Sequence, residues 1–387
     1  MINSCSLPLY YIRFLKPPPK ECLIGQHFTI VWTIESDLGD QTYWETVPIT
    51  ISLQGSSRLG LRELNADPKS NLRKRALKPY SDDKQQKVTL ARDIPVTFDP
   101  FQGGGIVTKL VIEQLPGEPL PIGAQVHVQL NMLLSPIARV SPNTATTCHS
   151  VWQNTYQFQS QIWLIPTWST PILTTMAKQR HVQIKQSGDQ AERILAVKKQ
   201  KLIHIREDAV QSIARHIWDC GLGMCQFLSE YNMDSKYNSI LELGSGTGLV
   251  GIYAAELLKP ECVYLTDLSD ALEIMKQNVA LMDKNDTNVK IFIHELAWGS
   301  EKQDIYGDVN LLLLTDVLYN QSSHDLLIAT LDWMLDNPEC KALLSYKERN
   351  PDERVFFTKI KEKGWKCERV DNYDHLICEI YWIYKTK

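Results

Sequence analysis

Three things are scarce in this chain: long apolar runs, patterned cysteines and charge of one sign. No apolar stretch approaches the ~20 residues that a membrane helix needs, so a membrane-spanning protein is not expected. The nine cysteines are odd in number, scattered, and contain no C-x-x-C pair. They read as reduced thiols of a cytoplasmic protein, with the nucleus as a second location, and not as a disulfide framework or a zinc site; no metal is expected. A formal net charge of −4 over 387 residues is near balance and gives no reason to expect nucleic acid as a partner. Near the start, an apolar patch is cut by Pro17-Pro18-Pro19, too brief and poorly flanked for a secretion signal. Gly103-Gly104-Gly105 lacks the Lys-Ser or Lys-Thr of a phosphate loop and reads as a mobile turn. A monomer is expected.

What is present is concentrated in one segment, Ile240-Leu241-Glu242-Leu243-Gly244-Ser245-Gly246-Thr247-Gly248-Leu249-Val250-Gly251. It reads as a buried strand, a glycine-dense turn and the first turn of a helix. Glycine tolerates positive φ and has no Cβ, so the turn can pass close beneath a small molecule. The following helix aims free N–H groups and its positive end at the same place. A nucleotide-like cofactor with an anionic end suits that geometry. The same residues also satisfy the G-x-G-x-x-G pattern of dinucleotide enzymes, with an acid about 20 residues on.

Downstream, apolar strands alternate with helical patterns. Residues 262–266 end in Asp267, placed where α/β nucleotide folds bind ribose hydroxyls. A helix is expected over about 271–281, with Leu272, Met275, Val279 and Met282 at helical spacing. Strands 289–294 and 309–314 follow, ending in Glu295-Leu296-Ala297-Trp298-Gly299 and Thr315-Asp316-Val317-Leu318-Tyr319. Functional groups gathered after strand carboxyl ends imply a parallel sheet with ligands lying beyond those ends. The chain then runs through a strand at 341–346, a helix and two closing strands, about 365–370 and 376–384. No second mononucleotide half is present, which argues against the dinucleotide reading.

That strand order resembles the seven-strand, Rossmann-like sheet of class I methyltransferases. Five ordered segments are similar, more narrowly, to the family-16 protein-lysine methyltransferases. They are His216-Ile217-Trp218-Asp219-Cys220-Gly221-Leu222, the glycine turn, Leu296-Ala297-Trp298-Gly299, Asp316-Val317-Leu318-Tyr319, and Ser345-Tyr346-Lys347-Glu348-Arg349 with Phe356-Phe357. The resemblance covers roughly residues 190–387. It implies S-adenosyl-L-methionine as cofactor and a protein lysine as methyl acceptor. It places Glu242, Gly244, Ser245, Gly246 and Gly248 around the cofactor, Asp267 on the ribose and Trp298 beside the adenine. Thr315 joins them, and Trp218 lies near the methionine end or the acceptor entrance. Asp316 is implied as the clamp that captures and orients the acceptor, with Tyr319 as a wall of its channel. Arg349 reads either as a site residue or as a bridge to an acid in the last loop. Ala297 departs from the family pattern, which carries an acid before the tryptophan; Glu295 or backbone groups would have to replace that contact.

Residues 1–170 have a different texture. Short β-rich runs at 28–34, 47–53, 87–90, 106–112, 125–133 and 156–164 suggest an all-β, sandwich-like domain. Along 125–133, Val126, Val128, Leu130 and Met132 alternate with polar residues, as in a half-buried strand. Its role is read as recruiting a protein substrate or acting as a lid. The basic stretch 72–78 reads as a solvated loop, with a nuclear address as the sharper alternative. The proline-bounded stretch 166–171 reads as a connector to a methyltransferase domain over 171–387. That domain would open with a hairpin over 181–205 and a tryptophan-bearing helix over 210–231. The competing functions are methylation of another amine (a histidine, an N-terminus or a small molecule), or a catalytically silent S-adenosylmethionine-binding scaffold.

Overall fold

A computed structural model describes residues 7–64, 90–133, 156–175 and 188–386, apart from 104, 118, 120–122, 160, 198–200, 210–212, 234–236 and 284–287. Of the expected segments, 72–78, 87–89 and 181–186 lie outside the described residues.

Five strands rich in Leu, Ile and Val build the centre of the C-terminal half. In chain order they are Ser239–Leu243, Cys262–Asp267, Lys290–Glu295, Leu311–Thr315 and Lys341–Tyr346, all parallel. Leu311, Leu312, Leu313 and Leu314 are all fully buried, as a strand covered on both faces requires. Helices Leu249–Leu258, Leu272–Ala280, His324–Met334 and Val355–Glu362 form the covering layers. The closing strands Lys366–Arg369 and Glu379–Tyr384 form the expected hairpin, with Glu379–Tyr384 antiparallel to the fifth strand. The strand order across the sheet is third, second, first, fourth, fifth, seventh, sixth. It reverses direction between the first and fourth strands, so a crevice opens beyond their carboxyl ends.

The front half is a β-sandwich. One six-stranded sheet includes Leu9–Lys16, His27–Glu35 and Ile106–Gln114; an eight-stranded sheet includes Val47–Gln54, Asp93–Phe98 and Gln125–Met132. Their inner faces share one apolar core around Trp32, Ile49, Phe98 and Val128. Trp32 Nε1 donates to Thr108 Oγ1 at 3.0 Å, so this fully buried indole leaves no orphan donor. The expected single strand over 156–164 is two, Tyr156–Phe158 and Ile162–Ile165, because Gln159 turns the chain at φ +49.

Two expectations about the middle of the chain need correcting. The connector at 166–171 contains a strand, Thr167–Ser169, and its three residues are buried. It pairs with Gln125–Met132 on one side and with Gln190–Val197 on the other. Proline bars helix but tolerates a strand end, and both prolines flank this strand without interrupting its hydrogen bonds. The leading hairpin is Gln190–Val197 with Lys201–Asp208, and it therefore extends the eight-stranded sheet. Trp218 precedes its helix, Asp219–Glu230, in extended conformation. Two acids hold the chain there, because Glu207 Oε2 accepts the Ile217 N–H at 3.2 Å and Asp37 Oδ2 accepts the Asp219 N–H at 3.3 Å.

Candidate functional site

The glycine turn is shaped by three left-handed residues, Gly244 at φ +69, Gly246 at +53 and Gly248 at +78. A Cβ on Gly246 would come within 2.9 Å of the Ala214 carbonyl, and one on Gly244 within 3.2 Å of the Trp298 ring. Trp298 thus lies directly against the first glycine. Ser245 locks the turn to the second strand, since its Oγ accepts the Thr266 N–H at 2.9 Å and donates to the Glu242 carbonyl at 3.2 Å.

Asp267 closes the turn from the second strand's end. Its Oδ2 accepts the Gly246 N–H at 2.8 Å and its Oδ1 the Leu268 N–H at 2.7 Å. Burial pushes the carboxyl up from its ordinary range, with the Gly246 and Leu268 N–H groups pulling the other way. Two of its roughly four lone-pair positions stay open for hydroxyl donors. Glu242 turns under the loop instead: its Oε2 accepts the Gly251 N–H at 2.9 Å, in the first turn of the helix Leu249–Leu258. Burial pushes this carboxyl up to about 8.

The second cluster sits beyond the fourth and fifth strands. Asp316 has φ +56, a left-handed conformation that aspartate tolerates better than most residues. Arg349 Nε donates to Asp316 Oδ1 at 3.2 Å, and its Nη2 reaches Asp316 Oδ2 as well. The same guanidinium also donates to Asp37 Oδ2 at 2.7 Å and lies 5.7 Å from the Trp218 ring centre. Lys347 Nζ pairs with Asp219 Oδ2 at 2.6 Å and lies 3.8 Å from Asp37 Oδ1. Tyr11 OH donates to Asp219 Oδ1 at 2.7 Å. Burial and the charge of Asp37 push the Asp219 carboxyl up to about 6. For Asp37 the upward push of burial is outweighed by Arg349 and Lys347, and the carboxyl sits below its ordinary range.

The structure thus brings Gly244, Ser245, Gly246, Gly248, Asp267 and Trp298 together around the glycine turn, and Trp218, Asp316 and Arg349 together around one guanidinium. Tyr319 is 56% exposed, and its phenol is pushed up by burial and by the charges of Asp267 and Asp316. Thr315 is the last residue of the fourth strand, paired in register with Ser345. Glu295 pairs in register with Asp267, so an acid stands beside Asp267 although position 297 is alanine. Arg349 bridges Asp316 and Asp37, not an acid of the last loop. Sequence reading missed Asp37, Tyr11, Asp219, Lys347 and Asn278. Asn278, fully buried, donates to the Thr247 carbonyl at 2.8 Å and accepts the Arg206 N–H at 2.8 Å, and so ties the glycine turn to the leading hairpin. Only Asp219 and Lys347 stood inside recognised motifs; the partners of the others are distant in sequence.

A lysine methyltransferase family model matches residues 197–363. A UPF0665 family protein of Schizosaccharomyces pombe is 33% identical over 165 residues, covering 41% of this chain and 49% of that protein. Protein N-lysine methyltransferase METTL21A of Danio rerio is 33% identical over 153 residues, covering 39% of this chain and 68% of that protein. EEF1A lysine methyltransferase 3 of Xenopus tropicalis is 31% identical over 145 residues, covering 38% of this chain and 62% of that protein. The chain therefore spans between about half and two thirds of the length of these relatives.

Proposed function

We propose, on the premise that this chain belongs to the lysine methyltransferase family, that it is an S-adenosylmethionine-dependent enzyme that methylates lysine side chains of another protein. One observation carries the reading: a turn of three positive-φ glycines, Asp267 and Asp316 all stand at the carboxyl ends of three adjacent parallel strands. The residues fit the cofactor, because the glycines supply the positive φ of a tight turn at a helix start and Asp267 keeps acceptor capacity beyond its two N–H bonds. When bound, S-adenosylmethionine supplies a methyl group already activated on a sulfonium. Gly244, Gly246 and Gly248 would cradle its methionine and ribose portions, Asp267 would take the ribose hydroxyls, and Trp298 would flank the adenine.

The remaining task of the protein is alignment, which in well-oriented pairs is worth roughly 7–11 kcal/mol. Asp316 seats the acceptor ammonium and Tyr319 walls its channel. Asp316 stabilises the charged form and so is not a strong base. Neutralising a lysine near pH 7.4 costs about 4 kcal/mol, and its proton passes to water before transfer. A cytoplasmic or nuclear place of action belongs to the same proposal and is supported by the unpaired cysteines among the described residues. No described helix is long and apolar enough to cross a membrane.

The test is methyl transfer from tritiated S-adenosylmethionine to EEF1A, the acceptor named for the Xenopus relative, and to fractionated cell protein, followed by acid hydrolysis. Label eluting as methylated lysine supports the reading. Label in methylhistidine moves the acceptor to another amine. Cofactor binding with no labelled product in any fraction favours the silent scaffold.

A further inference from the structure

We propose that Asp37, from the front β-sandwich, is a positioning residue of the acceptor site, acting through Arg349 to keep Asp316 available to an incoming ammonium. The inference rests on the methyltransferase reading and adds to it a role for the front domain.

The geometry begins with one guanidinium divided between two carboxylates. Arg349 Nη2 donates to Asp37 Oδ2 at 2.7 Å and contacts Asp316 Oδ2, while Nη1 lies 3.4 Å from Asp37 Oδ1. Arg349 and Asp37 are 312 positions apart in the chain, so the front sandwich reaches the site from outside the methyltransferase fold. Asp37 is itself a fixed point. It is 3% exposed, and its backbone carbonyl accepts Arg13 Nη2 at 2.9 Å. Its side chain accepts the Leu38 N–H at 3.0 Å and the Asp219 N–H at 3.3 Å. The turn that carries it is pinned by Ser36, whose N–H donates to the Gln41 carbonyl at 2.9 Å and whose Oγ donates to Asp40 at 2.7 Å.

Charge then decides the consequence. Asp37, Asp219 and Asp316 face two cations, Lys347 and Arg349, while Arg13 at the Asp37 carbonyl is paired with Glu35, which leaves one negative charge over. The carboxyl of Asp219 is pushed up to about 6, first by burial and then by the charge of Asp37. With Asp37 present, Arg349 is shared and Asp316 still attracts a cation. Without it, the guanidinium, whose Nε and Nη2 already pair with the two Asp316 oxygens, would keep Asp316 as its one carboxylate partner and neutralise it. The missing cation has the chemistry of a primary ammonium, which is what an unmethylated lysine brings.

A plain inter-sheet brace would use the same contacts, so the test must read the site and not the fold. The probe is sinefungin, which carries an amine where S-adenosylmethionine carries its sulfonium methyl. Its affinity relative to S-adenosylhomocysteine, measured by calorimetry on the full chain, reports the field at the methyl position. The parent is expected to favour sinefungin. Asp37→Asn is expected to reduce that preference roughly tenfold, as neutralisation of Asp316 by an undivided Arg349 behind partial screening predicts, with S-adenosylhomocysteine affinity unchanged. Asp37→Glu, which keeps the charge, is expected to retain most of the preference. An unchanged ratio in Asp37→Asn, with both ligands bound, would make Asp37 a brace and overturn the inference. Should Asp37→Asn fail to fold, Asp37→Ser carries the same comparison, since it likewise removes the charge. A parent chain that binds neither ligand defeats the methyltransferase reading, and the inference with it.

Discussion

Glu242 shows how much of the site is built below the surface that a ligand would touch. Its buried carboxyl, at about 8, keeps its proton where the unfolded chain has already released it. The folded state therefore binds the extra proton, and stability falls as pH rises from about 4.5 to about 8. Glu242→Gln keeps an acceptor for the Gly251 N–H without the titration. Its melting temperature, followed by scanning fluorimetry on ligand-free protein, should exceed the parent's by a margin that widens from pH 5 to pH 8. Parallel curves would refute the assignment. Gly251 makes a second residue-scale case. A Cβ there would overlap a Leu265 methyl and come within 2.8 Å of Glu242 Oε2. Gly251→Ala should cost about 1–3 kcal/mol in urea unfolding, the usual penalty for overpacking a filled core. At this scale the sequence was legible where the chemistry is local. The glycines, Asp267 and Asp316 stand at strand ends that apolar runs and turn residues mark out. Asp37 was not legible, because nothing in an ordinary Ser-Asp-Leu-Gly-Asp turn announces an arginine more than 300 positions away.

Elements were read well where strands and helices alternate over long, periodic segments, and less well where a strand is too short to show a period. Thr167–Ser169 has three residues between two prolines, so it carried a linker's signature although it lies at the centre of a sheet. Leu9–Lys16 was passed over because it is apolar on both faces and lacks alternation. The leading hairpin illustrates what such elements do. Arg193 and Glu207 face each other across it, with a 2.7 Å hydrogen bond and side chains only 3% exposed. Arg193 also donates to the Pro166 carbonyl at 2.6 Å, and Glu207 holds the chain just before Trp218. Glu207→Gln leaves a buried guanidinium without its counter-charge, and should cost about 3–5 kcal/mol in chemical unfolding. A loss below 1 kcal/mol would mean that water reaches the pair.

Across the whole molecule, the sandwich and the methyltransferase sheet share structure and not merely a boundary. Leu9, Tyr11 and Ile165 of the front strands belong to the same apolar core as Ile205, Phe227 and Leu249. The hairpin extends the front sheet, and Asp37 and Tyr11 bond to Asp219 at the start of the helix beneath the site. Heating should therefore give one cooperative calorimetric transition for the full chain; two resolved transitions would show that the halves unfold independently. The central claim, that the glycine turn and Asp267 hold S-adenosylmethionine, is tested most directly by calorimetric titration with S-adenosylhomocysteine, using NADH as control and Asp267→Ala as comparison. The account predicts saturable one-site binding of S-adenosylhomocysteine alone, weakened about tenfold or more when the charged hydrogen-bond acceptor is removed. No binding by the parent, binding of NADH in its place, or full affinity in Asp267→Ala would contradict it.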